Sequence, residues 1–367
     1  MGWDLPPRLD EPVIRRAFVI LGIVGALLTT AVGPAAAVSA SAGGGAELPA
    51  IAFQRWCQSI ARCTYDVHDA SLDTRQLARG TVTWIGVDEE LNAAELRETG
   101  GPVGYLPVML GALAVGVHVP GIDGHQLQLS GGVLGGIFSG EITSWRDRRI
   151  RRQNLHHPLH RGRTITLCVP AYASGTAYNM SDYLAKASPV FRKRVGAASL
   201  RPKWRGQRVI RVADVSKLDA CVEQHAGAIG FFPLGDALRL GQVHDIIAVG
   251  NPQQVTYGTG ANKKTVTKLV YQHPTTDGMV IAGTSASTAL KSDLLFDPVD
   301  IRVEGAYPIT TAVWVAYRSD RKMSAATRSS LTAMLTSSAQ SELQGLGFAA
   351  LPRNVLAAAR AALAKAR

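Results

Sequence analysis

The stretch Thr164–Leu184 constrains the fold most, because it predicts a buried strand, a tight turn and a helix in direct succession. Its first six residues are apolar or β-branched, and aromatic and leucine side chains recur at helical spacing at its end. Between them, Ser174 or Thr176 can cap the helix. Free N–H groups at a helix start form an anion site. Ser174, Gly175 and Thr176 are therefore candidate anion ligands, although these residues can also serve only as a helix cap.

Strands and helices alternate before this stretch, which is typical of a parallel sheet covered by helices on both faces. Residues 65–67 and 81–87 are predicted as strands, and residues 69–77 between them as a helix with capping residues at its start. Asp88 follows the second of these strands directly. Ligands of open α/β sheets bind at the carboxyl ends of strands, so Asp88 is a further candidate ligand.

The rest of the chain adds one long extended segment and several shorter elements. Residues 105–120 form an apolar run that predicts a strand carrying the chain from a first domain into a second. Residues 38–45 are small and predict a flexible segment, while residues 250–300 carry a weak signal, with a brief strand over 255–257. The remaining predictions are a helix broken by Gly140 over 128–145, a helix over 215–224, strands over 226–232 and 306–317, and helices over 46–60, 325–345 and 353–365.

Length and charge limit the classes of partner. With 367 residues the chain is long enough for two domains of ordinary size. Its net charge of +11 lies on the body, because the charges of the first 37 residues cancel, and a basic body favours anionic partners. Nucleic acid is not expected as a partner, since no basic stripe with stacking aromatics and no known binding module occurs. An arginine- and histidine-rich segment, residues 146–163, is interpreted as a solvated face.

The N-terminus carries the features of a secretory signal peptide. Arg15 and Arg16 precede an apolar run over residues 17–32, which a Gly-Pro pair ends before small residues up to Ala37. Residues 1–37 are therefore predicted to direct export to the periplasm, the cell wall or the outside of the cell. The run is close to the lower length limit for a spanning helix, so an uncleaved membrane anchor is the alternative. A lipoprotein anchor is not expected, because Cys57 is the first cysteine.

Four cysteines in an exported chain predict disulfides. Four cysteines allow three pairings. Cys57–Cys63 together with Cys168–Cys221 is favoured, because each bridge then stays within one of the expected domains. A metal site is not expected, since no Cys-x-x-Cys occurs and the clustered histidines lie in the arginine-rich segment. No cofactor is expected either.

Taken in order, these segments resemble the solute-binding protein of the bacterial phosphate ABC transporter. The matching segments are residues 45–49 with Trp56, 65–88, 106–115 with 119–121, 134–147, 171–184, 227–231, 307–309 and 347–352. The resemblance implies an α/β fold of the two-domain Venus-flytrap type, each domain a mixed, mainly parallel sheet flanked by helices. Domain I would comprise residues 43–116 and 306–367, and domain II residues 117–305 with the Ser-Gly-Thr turn.

The resemblance also implies a function. Such a protein encloses phosphate between its two domains and delivers it to a membrane permease. The implied partners are phosphate or a similar small anion and an ABC permease, and we expect a monomer. Catalysis is not expected, because no Gly-x-Ser-x-Gly elbow surrounds Ser174 and the histidines are scattered.

Ligand residues follow from the resemblance position by position. In the family, a Ser-Gly-Thr turn binds phosphate oxygens, and Ser174, Gly175 and Thr176 match that turn. An aspartate at the end of a domain I strand accepts the phosphate proton, which excludes fully ionised sulfate. Asp88 matches that aspartate.

Other ligand positions match only in part. The backbone amide contact of the family's first loop falls on Leu48, and Ser71 lies next to the position of the second-loop serine. Glu47 replaces a threonine of the first loop. Pro170 replaces a ligand arginine, and Tyr172 replaces the aspartate that orients this arginine.

These replacements weaken the case for phosphate. A hydrogen bond to a charged group contributes roughly 1.5–3 kcal/mol, so the loss of the arginine alone lowers the affinity by about one to two decades. An ionised Glu47 about 4 Å from a phosphate charge adds roughly 4 kcal/mol of repulsion at an effective dielectric constant near 20. Two functions therefore stay open. One is oxyanion binding for uptake, and the other is a diverged flytrap module that acts as a sensor, a scaffold or a binder of another ligand.

Overall fold

The computed structural model describes residues 40–156, 159, 164–214, 217–241 and 246–367, without the side chains of residues 70, 71 and 261. The predicted signal peptide, residues 1–37, lies outside the described residues. The arginine- and histidine-rich segment is described only in part, and its arginines between positions 146 and 152 are exposed, as a solvated face requires.

The described residues form eleven strands and thirteen α-helices. The strands are β1 Ser41–Gly45, β2 Cys63–Val67, β3 Trp84–Val87, β4 Val103–His118, β5 Gln128–Ser130, β6 Thr166–Pro170, β7 Arg208–Val212, β8 Ala228–Pro233, β9 Ala248–Tyr257, β10 Lys264–Gln272 and β11 Thr310–Arg318. The helices are α1 Ala50–Ser59, α2 Ala70–Arg79, α3 Ala93–Glu98, α4 Gly131–Phe138, α5 Arg148–Gln153, α6 Gly175–Ala187, α7 Pro189–Arg194, α8 Leu218–Gln224, α9 Leu234–Arg239, α10 Thr276–Ala286, α11 Ala325–Met334, α12 Ser337–Glu342 and α13 Arg353–Lys365.

An eight-stranded mixed sheet in the order β2-β1-β3-β11-β4-β8-β6-β7 organises the chain. The long strand β4 pairs antiparallel with β11 as far as Ala112 and with β8 from Leu113 onwards, so it belongs to both halves of the sheet. On each side of it the outer strands run parallel, β2, β1 and β3 in one half and β8, β6 and β7 in the other. The apolar run 105–120 thus carries the chain from one half of this sheet into the other.

Strand β1 corrects the prediction of a flexible segment over residues 38–45. It lies buried between β2 and β3. A Cβ atom on Gly43 would overlap the indole ring of Trp84, so this strand needs glycine in order to pack. Its small residues suggest a linker in the sequence, but they reflect the close approach of a neighbouring aromatic ring.

Three further predictions differ from the structure. The helix predicted over residues 325–345 is divided into α11, α12 and a short 3-10 helix, Leu343–Leu346. Residues 128–145 were predicted as a helix broken by Gly140, but β5 occupies the first three residues, and α4 begins only after Ser130, whose Oγ accepts from the Val133 N–H. Residues 250–300 contain the β9–β10 hairpin and α10 instead of one brief strand. Strand β10 was missed because most of its side chains are exposed on both faces, which removes the period-two pattern.

Both predicted disulfides are confirmed. Cys57–Cys63 ties α1 to the start of β2, and Cys168–Cys221 ties β6 to α8. Among the described residues, no helix combines the length and the apolar character that crossing a bilayer requires.

Candidate functional site

The turn between β6 and α6 forms the first part of the candidate site. Ser174 has an extended backbone and is the N-cap of α6, and its Oγ accepts from the Ala177 N–H at 3.3 Å. The Ser174 N–H donates to the carbonyl of Leu200 at 3.1 Å, which fixes the approach to the helix. Gly175 and Thr176 follow as the first helical residues and are buried. The strand, turn and helix predicted from the sequence are all present.

The carboxylate of Glu47 lies against this turn. Ser174 Oγ donates to Glu47 Oε1 at 2.6 Å, and the Tyr172 hydroxyl donates to Oε2, also at 2.6 Å. Glu47 is only 9% exposed and lies between β1 and α1. The hydroxyl of Tyr65 holds this segment in place, because it donates to the carbonyl of Ala46 at 2.7 Å. An acidic side chain of the protein therefore occupies the hydroxyl donors of Ser174, the N-cap of α6, and of Tyr172 before it.

Asp88 approaches the same helix start from the end of β3. Asn179 Nδ2 donates to Asp88 Oδ2 at 3.1 Å and to the Asp88 carbonyl at 2.9 Å, and the Thr311 hydroxyl donates to that carbonyl at 2.8 Å. A Cβ atom on Gly175 would overlap Asp88 Oδ1 and would lie 2.5 Å from Glu89 Oε2. Only glycine at position 175 permits both carboxyl groups to come this close.

Burial raises the pKa of every carboxyl group in this cluster. It raises the pKa of Glu47, although hydrogen bonds from Ser174 and Tyr172 partly offset the effect. Burial also raises the pKa of Asp88, and it raises the pKa of Glu89 well above its ordinary value, with the charge of Asp88 adding to the effect. Both carboxyl groups therefore hold a proton more tightly than exposed carboxyl groups do.

The described surroundings of these carboxyl groups supply hydroxyls and amides rather than cations. No described lysine or arginine is among the main groups that shift the pKa of Glu47 or Asp88. Pro170 is the last residue of β6, and Tyr172 after it bonds to Glu47. The arrangement can bind a group that accepts hydrogen bonds from Ser174 and the first turn of α6, and Glu47 is the acceptor present.

The structure brings together five of the residues proposed from the sequence, namely Ser174, Gly175, Thr176, Asp88 and Glu47. Leu48 follows Glu47 directly, and its side chain is buried in the core. Ser71 lies in α2, and its side chain is outside the described part of the structure.

Sequence reasoning missed Glu89 and Asn179. Glu89 could have been found in the sequence, because it directly follows Asp88 in the acidic run after β3. Asn179 lies four residues after Gly175 on one face of α6, and its amide also donates to the Gly175 carbonyl at 3.0 Å. Its contact with Asp88 joins positions 91 residues apart, which no local pattern predicts.

A cavity of about 520 Å³ lies beside the carboxyl cluster. Asp88, Glu89 and Asn179 form part of its wall, and Trp314 lines it as well. Lys186 also lines it, but its ammonium group bonds to Asp182 at 2.7 Å and to a second aspartate. Polar and apolar side chains therefore both line the cavity beside the candidate site.

A protein-family model described as a PBP superfamily domain matches residues 74–333. This range includes Asp88 and the whole β6–α6 turn.

Relatives and solved structures agree with this match. The phosphate-binding protein PstS of Xylella fastidiosa is 25% identical over 77% of this chain and 71% of its own length. A phosphate-binding protein from Stenotrophomonas maltophilia has a TM-score of 0.62 at 19% identity, over 88% of this chain and 93% of that chain. The periplasmic phosphate-binding protein PfluDING, solved with bound phosphate, has a TM-score of 0.64 at 17% identity over the same shares of the two chains. The predicted fold class, a two-domain flytrap of the α/β type, is confirmed.

Proposed function

The chain belongs to the PBP superfamily, and on that premise we propose that it is an exported solute-binding protein for phosphate or a related oxyanion. The superfamily consists of substrate-binding proteins, so the prediction that the chain is not an enzyme is confirmed. In the proposed role, a monomer binds the anion in a cleft between two domains and presents it to an ABC permease for uptake. Export follows from the predicted signal peptide and from the similarity to PstS proteins.

The facing arrangement of Ser174 and Asp88 is the observation that carries this proposal. Ser174 Oγ and the first turn of α6 supply donors for an anion, and Asp88 lies against Gly175 from the other half of the sheet. In the proposed complex Ser174, Gly175 and Thr176 donate to the oxyanion, and Asp88 accepts its proton. The Leu48 amide and Ser71 complete the proposed ligand set.

The domain boundaries are part of the same proposal. The change of partner along β4, at Ala112 and Leu113, supports a division in which residues 43–116 and 306–367 form domain I and residues 117–305 form domain II. Under this division β11 returns the chain to domain I. The cleft then lies between the ends of β3 and β6.

Titration calorimetry with inorganic phosphate tests the function. We expect the exported chain to bind phosphate in phosphate-free buffer, about one to two decades more weakly than a site that retains the arginine. Ser174→Ala should abolish the heat of binding, because it removes a donor to the anion. Ser341→Ala is the control, since Ser341 is an exposed α12 residue that bonds only to the Ser338 carbonyl among the described contacts. No heat and no thermal shift at millimolar phosphate in the unchanged protein would exclude the proposal.

One observation favours the second candidate function, a diverged flytrap module with another ligand. Glu47 already occupies the Ser174 donor, and its charge opposes a phosphate ion at that position. Native mass spectrometry of the protein purified from its own cells would distinguish the two functions. A bound solute other than an oxyanion would favour the diverged module, whereas bound phosphate would exclude it.

A further inference from the structure

Glu47 makes the contacts expected of a bound oxyanion. Both of its carboxylate oxygens accept short hydrogen bonds, one from Ser174 Oγ and one from the Tyr172 hydroxyl. Ser174 caps α6, whose positive dipole end favours a negative charge at this point. The carboxylate is thus bound by hydroxyl donors at a helix start, which is also the chemistry by which an anionic solute would be recognised.

These hydrogen bonds connect the two halves of the large sheet. Glu47 follows β1, while Tyr172 and Ser174 follow β6, and the strands β3, β11, β4 and β8 separate β1 from β6. Two further contacts cross between the same halves. Asn179 of α6 donates to Asp88 after β3, and Arg201 lies 3.5 Å from the carboxylate of Asp69.

Among these contacts between the two halves, the hydrogen bonds of Glu47 would be the most costly to lose if the halves separated. Asp69 and Arg201 are partly exposed, so water can replace their partner at little cost. Glu47 is buried, and a buried carboxylate without its donors is strongly unfavourable. If the halves separate, Glu47 loses both hydroxyl donors, and its carboxylate must then be hydrated instead. In the described arrangement, with the two halves in contact, Glu47 is therefore satisfied without any solute.

We propose that Glu47 is an internal ligand that holds the cleft closed while no solute is bound, and that an oxyanion enters only by displacing it. The first half of this proposal rests on the contacts of Glu47 and on the proposed division into two domains. The second half rests on the proposed function. A solute oxyanion and the Glu47 carboxylate compete for Ser174 and repel each other, so both cannot occupy the start of α6 together.

Closure without a solute is the first test. Small-angle scattering and amide hydrogen exchange should be measured in phosphate-free buffer on the unchanged protein, on Glu47→Ala and on Glu342→Ala. Glu342 is the matched control, because its described ion pair with Arg55 lies on the surface, outside the candidate site. We expect Glu47→Ala to increase the radius of gyration and to speed exchange in the first turn of α6 at least tenfold, while Glu342→Ala matches the unchanged protein. Equal radii and equal exchange in all three proteins would overturn the proposal.

Tyr172→Phe provides a second variant, because it removes one of the two donors and leaves Glu47 in place. Its exchange rate in the first turn of α6 should lie between those of the unchanged protein and Glu47→Ala. If circular dichroism shows that Glu47→Ala does not fold, Tyr172→Phe decides alone. An exchange rate in Tyr172→Phe equal to that of the unchanged protein then overturns the proposal.

Displacement is tested by titration with inorganic phosphate. We expect Glu47→Ala to bind phosphate at least tenfold more tightly than the unchanged protein, and Glu342→Ala to bind it equally. Equal affinity of Glu47→Ala and the unchanged protein would overturn the displacement. If Glu47→Ala opens the cleft but neither protein binds phosphate, the proposed function fails together with oxyanion displacement, while closure by Glu47 is supported.

Discussion

At the scale of single residues, two departures from the family pattern form one contact. Glu47 and Tyr172 each replace a residue of a different kind, and the sequence gives no reason to connect them. In the structure, the Tyr172 hydroxyl donates to the Glu47 carboxylate at 2.6 Å. Pro170 is the third departure and ends β6 two residues before Tyr172. The position where the resemblance predicts an arginine and the Tyr172 donor therefore lie at the same end of β6.

Asp73 provides a pH-dependent prediction at this scale. Burial, together with the charges of Asp69, Asp88 and Glu95, raises the pKa of Asp73 from 3.8 to about 8. The folded state therefore binds the Asp73 proton more tightly than the unfolded state does. Its contribution to stability is complete below about pH 4 and is lost as the pH rises through about 8.

Asp73→Asn should remove this dependence. The free energy of unfolding of the variant should fall less between about pH 5 and about pH 8 than that of the unchanged protein. Urea denaturation at both pH values measures the difference. Asp66→Asn is the control, because Asp66 is exposed on β2, and it should keep the dependence of the unchanged protein. Parallel pH profiles of Asp73→Asn and the unchanged protein would contradict the assignment.

At the scale of elements, local sequence signals predicted the bounds of some helices correctly. The helix α13 has the predicted bounds, and α6 begins directly after a predicted cap residue, Ser174. The predicted bounds were wrong for strands whose formation depends on pairing with neighbouring strands. Strand β1 has almost no side chains to form a pattern, and β10 is paired along only one edge at the margin of its sheet.

Gly43→Ala tests why β1 consists of small residues. A Cβ atom at this position overlaps the Trp84 ring, so we expect a loss of about 1–3 kcal/mol in the free energy of unfolding. Gly132→Ala is the control, because no atom lies within 4 Å of its Cβ position and the residue is exposed within α4. The control should be neutral or stabilising by up to about 1 kcal/mol. Equal stabilities of the two variants in chemical denaturation would refute the packing argument.

At the scale of the whole molecule, one strand links two halves that the sequence suggested as separate domains. Because β4 pairs with β11 and then with β8, the two halves share a continuous hydrogen-bonded sheet. The polar contacts of Glu47, Asp88 and Asp69 join the same halves across the sheet ends. Solute binding under the proposed function would therefore replace contacts that the protein makes with itself.

The two disulfides should differ in their effect on overall stability. Cys168–Cys221 spans 53 residues and Cys57–Cys63 spans 6 residues. In the chain-entropy model the longer loop restricts the unfolded state more, which corresponds to about 4 kcal/mol against about 2 kcal/mol. The paired alanine variants should therefore lower the free energy of unfolding in that order, as measured by urea denaturation. A larger loss from the short bridge would contradict this model.

Features that depend on neighbouring residues can be predicted from the amino-acid sequence alone. These are the strand, turn and capped helix around Ser174, the position of Asp88 at a strand end, and the short Cys57–Cys63 bridge. Periodicity, capping and short spacing are local properties, so they survive in a single sequence. The contact between this turn and Glu47, in contrast, depends on the three-dimensional fold. Glu47 and Ser174 lie 127 positions apart, and their hydrogen bond joins the segments after β1 and β6, which four strands separate in the sheet, so no local pattern contains it.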